Sequence, residues 1–243
     1  MNKGILAGVV MTIAPAIAAP AFADDAVYGK FPVTLQTWLG TETNSVAYTG
    51  QIARQVLHDS LKKLAGKGNG KPNAALKAEM MLYYEGKGKN RKIVAPSSKG
   101  PFVVKQKTVG EISNPNLSGK TYKGTVSGMP NNMTGPELIK FWIGKAASAN
   151  KGVDTANGYN YPQLISKFIL GAVFYHQAVD NYLDEKMTAG NKPNNKPYKK
   201  GKHYTGKEHS WDEAFGYFGF PAHGLKLSPS QLYAIAKRKP EAV

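Results

Sequence analysis

The sequence predicts a mainly α protein: a single-domain helical bundle carrying a long irregular insertion with room for a small hairpin. Three observations lead there. Apolar residues recur at three- and four-residue intervals in successive segments, and these segments begin at capping residues and stop at glycines. Strand-like alternation is confined to brief pieces. The 243-residue chain contains no cysteine, so an exported molecule of this size is held together by burial alone, which calls for one extended core.

The elements follow in order. After Thr49, the stripe Ile52, Val56, Leu57, Leu61 and Leu64 predicts a helix that Gly66 stops. A shorter one starts from Asn73, with Leu76, Met80, Tyr83 and Tyr84 on a stripe and Gly86 at its end. Thr134-Gly-Pro-Glu137 is a capping box with proline in the first turn, and launches a helix through Trp142 to about Ala149. The longest helix runs from Pro162 to about Met187. Two neighbouring ladders mark it, Ile165, Ile169, Ala172, His176, Val179 and Leu183 beside Leu164, Phe168, Gly171, Tyr175, Ala178 and Tyr182. So wide an apolar face predicts the central helix of the bundle. A helix around Trp211 and a terminal one opened by Ser228-Pro-Ser-Gln231 complete the set.

Two irregular stretches separate these helices. Residues 87–133 are rich in Gly, Pro, Asn and Lys, with strand-like pieces at Ile93 to Ala95, Phe102 to Val104 and Thr121 to Val126, enough for one hairpin. Residues 186–207 hold seven lysines, two prolines and no acid, and form a Lys-rich connector to the Trp211 helix. Mutual repulsion predicts a mobile, solvated segment.

The opening residues read as an export signal. Lys3 is followed by an apolar, uncharged run from Gly4 to Ile17, and Ala21-Phe22-Ala23 supplies the small-x-small pattern for cleavage before Asp24. The run falls short of the roughly 20 residues of a membrane span and is broken by Pro15 and Pro20. Residues 1–23 are thus expected to be a cleaved signal peptide, and residues 24–243 a single helical domain with no transmembrane segment, periplasmic or secreted. That domain carries 31 basic and 16 acidic residues, a net charge of +15. Outside the cytoplasm such charge points to acidic polysaccharide, anionic head groups, an acidic partner or an anionic small ligand, and away from nucleic acid. A thiolate nucleophile and a thiolate metal site are excluded. Gly66-Lys-Gly-Asn-Gly-Lys71 is one residue short of a phosphate loop and has Pro72 in the place of its hydroxyl residue. No standard hydrolase motif occurs in a convincing context.

Four pieces then resemble a known family: Tyr48-Thr-Gly-Gln-x-x-Arg54, Met81-Leu-x-Tyr-Tyr84, Tyr161-Pro-Gln-Leu leading into Leu170-Gly-Ala-x-Phe-Tyr-His-Gln177, and Glu208-His-Ser-Trp-Asp-Glu-Ala-Phe-Gly-Tyr-Phe-Gly219. They resemble exported bacterial proteins classed only as a domain of unknown function. The resemblance implies a mostly helical exported protein, one associated with imelysin-type and iron-uptake proteins of the envelope. The chain departs from the lipoprotein members in having no lipobox cysteine, and it lacks the Gly-x-His-x-x-Glu motif of imelysins.

The last motif supplies the candidate site. On a helical wheel Trp211, Ala214, Phe215 and Phe218 form one side and His209, Asp212, Glu213 and Gly216 the other. The aromatic side is expected to be core. If Thr205-Gly-Lys-Glu208 is the capping box, His209, Asp212 and Glu213 stand at i, i+3 and i+4, a spacing that suits one iron, zinc or manganese ion. If Ser210-Trp-Asp-Glu213 is the box instead, Glu213 folds back onto the backbone and His209 lies outside the helix. His176, with Asp180 one turn on, is a candidate further ligand, against the plainer reading of a buried neutral imidazole. Lys196, Lys199, Lys200 and Lys202 of the connector are candidates for an anionic ligand. His58-Asp59 flanks its stripe and reads as surface. Tyr83, Tyr84, Tyr175, Tyr182 and Trp211 read as core rather than as a sugar or haem pocket. Three roles stand: a periplasmic binding protein of an envelope uptake system holding a metal, an anionic ligand or an iron complex; a metal-dependent enzyme with Glu213 or Asp212 as base; and a structural envelope protein gripping anionic polymer. The first is preferred, without catalysis.

Overall fold

The computed structural model describes residues 31–98, 104–113, 116–219 and 228–230. The expected signal segment, the piece from Phe102 to Val103 and the terminal helix beyond Ser230 lie outside the described residues. The fold is mainly α, as the stripes predict. Helix α1 spans Thr49–Ala65, α2 Ala74–Glu85, α3 Leu117–Lys120, α4 Gly135–Ser148, α5 Tyr161–Ile169 and α6 Gly206–Phe218. Without a break, α5 runs on as π-helical turns over Leu170–Tyr175 and Gln177–Lys186, so that one long helix extends to Lys186.

End signals behave as their chemistry requires. The Asn73 side chain accepts the Leu76 amide at 2.9 Å, and Gly86 closes α2 in the left-handed conformation at φ +62°. A side chain at Gly86 would also collide with Asn116. Thr134 and Glu137 form the reciprocal capping box of α4.

The centre of the bundle is α1, not the long helix. Every residue from Gln51 to Leu61 is buried, and α1 touches all the other α-helices named above. The core joins Val56, Leu57 and Leu61 to Met80, Tyr84, Ile143 and Ile165. Burial all round α1 includes His58 and Asp59, 0 and 1 % exposed, so the surface reading of that pair is wrong. Fully enclosed helices leave no solvent face on which a polar residue can be placed.

Along the long helix the ladders change period after Ile169. The buried positions are Ile169, then Ala172, Val173 and Phe174, then Gln177 and Ala178, then Tyr182. These steps of four to five residues are what i→i+5 hydrogen bonding imposes. Tyr175 and Leu183, placed on the apolar ladders by an α-helical period, are 61 and 43 % exposed.

Among the described residues of 87–133 there is no hairpin, only α3, two short 3₁₀ turns and isolated bridges such as Lys92 to Thr108 and Thr125 to Thr134. The hairpin lies instead between α4 and α5, where β1 (Val153–Asp154) pairs antiparallel with β2 (Tyr159–Asn160). Gly158 in that turn has φ +73°, which glycine adopts at no steric cost.

Candidate functional site

Helix α6 starts at the Thr205 box. The Thr205 amide donates to Glu208 Oε2 at 2.7 Å and the Glu208 amide to Thr205 Oγ1 at 3.2 Å. Of the two alternatives, this one leaves Glu213 free of capping and keeps His209, Asp212 and Glu213 on one helical face. That face points inward. Asp212 is 1 % exposed and Gly216 is buried, whereas Trp211 and Phe218 are 38 and 62 % exposed. Of the expected core side, Trp211 and Phe218 therefore face outward, while Ala214 is buried in the core and Phe215 is partly buried against Tyr48. Gly216 shows why: a Cβ there would lie 2.8 Å from both Tyr48 and Gln51, so the absent side chain lets α6 settle against α1 on this face. Trp211 instead stacks on Phe215 at 5.5 Å and meets Phe31 at 5.4 Å.

His209 bonds to the acids of its own face. Its Nδ1 lies 3.2 Å from Asp212 Oδ1 and its Nε2 3.7 Å from Glu213 Oε2. Asp212 Oδ2 also accepts the Ala47 amide at 2.7 Å, and Glu213 Oε1 accepts Gln51 Nε2 at 2.7 Å. Burial pushes the Asp212 carboxyl up to about 6, outweighing the pull of His209 and the Ala47 amide. His209 feels burial most strongly, which lowers it, yet the hydrogen bond and charge of Asp212 with the charge of Glu213 together raise it above its ordinary value. Among the described residues no group of three or more His, Asp or Glu side chains is arranged to hold a metal ion. Both imidazole nitrogens of His209 are turned to carboxylates, which does not fit direct coordination of a metal by this trio.

The connector closes over this site. Tyr198 and Tyr204 flank the His209 ring at 4.6 and 4.9 Å, the Tyr198 amide donates to the Tyr204 carbonyl at 2.9 Å, and Tyr204 is buried. Two aromatics thus anchor a segment whose lysines predicted only a solvated linker. Lys196, Lys199, Lys200 and Lys202 are exposed, as their charge requires.

Deeper in, the charge of Glu213 is felt by Lys120 and Lys186. Arg54 of α1, 1 % exposed, donates to the Ser113 carbonyl and hydroxyl at 3.0 and 2.9 Å and lies 5.7 Å from the Tyr217 ring centre. Lys186 Nζ sits 3.7 Å from the centre of the Tyr182 ring, and the Tyr182 and Tyr217 rings are 5.8 Å apart. Lys120 ends α3, its carbonyl accepting Gln177 Nε2 at 3.0 Å. Burial first, then the charges of Arg54 and Lys186, depress the Lys120 ammonium to about 8, opposed only by Glu213. Lys186 is lowered chiefly by burial, with Glu213 opposing. Tyr182 is raised, by burial and then by the Glu213 charge. In the sequence Arg54 figures only within a motif, without a role, and Lys120 is missed. For Arg54 a signal existed, a cation between Ile52 and Val56 inside an apolar stripe; for Lys120 there was none.

His176 and Asp180 belong to a different face. His176 Nδ1 meets Asp180 Oδ2 at 2.8 Å, and the ring packs edge-on against Tyr122 at 5.4 Å. None of the partners of His209 named above is among these. The structure therefore joins His209, Asp212 and Glu213, and leaves His176 and Asp180 as a separate pair.

No curated protein and no solved structure matches the chain. A family model matches residues 133–231, from the start of the α4 capping box through the long helix, the connector and α6, so that Tyr48 to Arg54 and Met81 to Tyr84 lie outside the match. The segment that carries His176, Asp180, His209, Asp212 and Glu213 is thus the one matched by the model of the family described as Domain of unknown function (DUF4856).

Proposed function

We propose that this chain is an exported envelope binding protein that holds an anionic ligand between α1, the end of the long helix and α6, without catalysis. One observation carries the reading: the ammonium groups of Lys120 and Lys186 are both depressed by burial and by neighbouring cations, and the acids that oppose this are Glu213 and, at Lys186, Glu185. Partly desolvated cations in excess are costly unless an anion joins them. A polycarboxylate would supply that charge, and its ferric complex would bring iron without any protein ligand to the metal. The exposed connector lysines would raise the local concentration of such an anion and speed its arrival.

Titration calorimetry with citrate and with ferric citrate tests this. Binding of either by the unmodified protein, weakened about tenfold or more by Lys186→Gln and by Lys120→Gln, is the expected result. Binding unchanged in both variants, or no heat with either probe, would sink the proposal. Substituting Lys196, Lys199, Lys200 and Lys202 together by glutamine should slow association and flatten its salt dependence.

A further inference from the structure

The exposed face of the long helix forms one wall of a separate cleft of about 470 Å³, within the range of roughly 300–1,000 Å³ typical of small-ligand sites. Its floor is Gly171. A Cβ at this position would meet nothing within 4 Å, although glycine weakens a helix interior relative to alanine. Tyr175 also lines the cleft, 61 % exposed in the middle of a helix that is otherwise apolar there. Across from it lies the half-exposed Tyr122 ring, set edge-on to His176 at an interplanar angle of 80°.

The opposite wall is fixed to the helix by backbone bonds. The Tyr122 amide donates to the Ala172 carbonyl at 2.7 Å, and the Gly135 and Val126 amides donate to Gly124 and Met133 at 3.2 and 2.9 Å. Gly135 also lets α4 approach beneath this loop, since a Cβ there would lie 2.3 Å from the Tyr122 carbonyl oxygen. The backbone of the Tyr122 wall is thus held against the helix before any ligand arrives, which lowers the entropic cost of binding.

The polar groups are few and varied. Asp180 and His176 form a hydrogen-bonded pair, Thr125 and Ser127 bring hydroxyls, and Lys167 makes no ion pair among the described residues. Exposed tyrosine faces suit the flat apolar face of a sugar ring, and carboxylate and hydroxyl groups suit its hydroxyls. Lys167, exposed at the cleft, offers a positive charge that suits a carboxylate on that sugar. We infer that this cleft binds a hexuronate residue of an acidic polysaccharide, at a site distinct from the Glu213 cluster.

The experiment is calorimetric titration with an oligogalacturonate tetramer, with cellotetraose as the neutral control and polyglutamate as the polyanion without sugar. The tetramer should bind, cellotetraose and polyglutamate at least about tenfold more weakly. Tyr175→Ala and Lys167→Gln should each weaken the tetramer about tenfold. Gly171→Leu is the sharpest variant, because the open space above Gly171 admits the side chain without a clash: it should abolish binding while the melting temperature holds or rises. Equal binding by Gly171→Leu and the unmodified protein, equal binding of polyglutamate, or failure of the tetramer to bind would each overturn the inference. None of these results bears on citrate binding, which uses none of the substituted residues.

Discussion

Replacing His58 by glutamine should remove much of the acid sensitivity of this protein. The imidazole is fully buried in α1, with Nε2 3.1 Å from Ser166 Oγ and the ring edge-on to Phe174 at 5.4 Å. Burial, with repulsion from Lys62 and Lys167 and against the bond to Ser166, lowers it from 6.5 to about 3. In the unfolded chain it titrates near its ordinary value. Between these two values the unfolded state therefore binds the extra proton, so stability is unaffected above about 6.5 and falls steadily as pH drops toward 3. At about 1.36 kcal/mol per unit, lowering the pH from 7 to 5 costs about 2 kcal/mol through this one side chain. Glutamine can still bond Ser166 but does not titrate. Urea unfolding of both proteins at pH 7 and pH 5 reads the difference: His58→Gln should start less stable at pH 7 by about 1–2 kcal/mol, yet lose about 2 kcal/mol less than the unmodified protein on acidification. The His209 and Asp212 contributions are common to both and cancel. Parallel stability curves would refute the reasoning, and would mean that His58 is solvated or already charged when folded.

Two further outcomes follow from α6. Trp211→Ala should cost no more than about 1 kcal/mol, since the ring is already 38 % exposed and rests on Phe31 and Phe215 at the surface; a loss of about 3 kcal/mol in urea unfolding would restore the buried reading. Asp212 is raised from 3.8 to about 6, so the folded state holds its proton more tightly and this group lowers stability as pH rises through that window. The stability of the unmodified protein relative to Asp212→Asn should therefore decline from pH 4 to pH 6, on the order of 2 kcal/mol, and a difference that is flat or rises would contradict a desolvated carboxyl.

What could be read in the sequence was local. Asn73, Gly86, Thr134 and Thr205 each act on backbone groups within a few residues, and each marks the helix end it should. The choice between two capping boxes at α6 needed Asn194 and Thr34, which bond Thr205 and Glu208 from outside the helix. The buried face of α6 was partly misread because Trp211 and Phe218 lie on its outer side, although Ala214 is core as expected. Asp212 is made buriable by the Ala47 amide, 165 residues away, and Gly216 by a neighbour helix that no local pattern reveals. The π-helical turns were equally hidden, since Ile165 and Ile169 suit either period and the divergence only starts at Val173. Lys120 comes near Arg54 and Lys186 purely through tertiary folding, so nothing local could bring the three together.

The change of period in the long helix also decides where the chain is free to vary. Leu183 and Tyr175 stand in solvent, and polar replacements there cost the fold little; Ser166 and Gln177, polar by name, sit in the interior with Ser166 bonded to His58 and Gln177 to the Lys120 carbonyl. An α-helical wheel would rank these four positions in the opposite order, although it places Ile165, Ile169, Ala172, Ala178 and Tyr182 correctly. For any related chain carrying the same Leu-Gly-Ala run, tolerance along this helix should be counted in fours and fives from Ile169, so that a lysine at 183 is an ordinary surface change and one at 173 breaks the core.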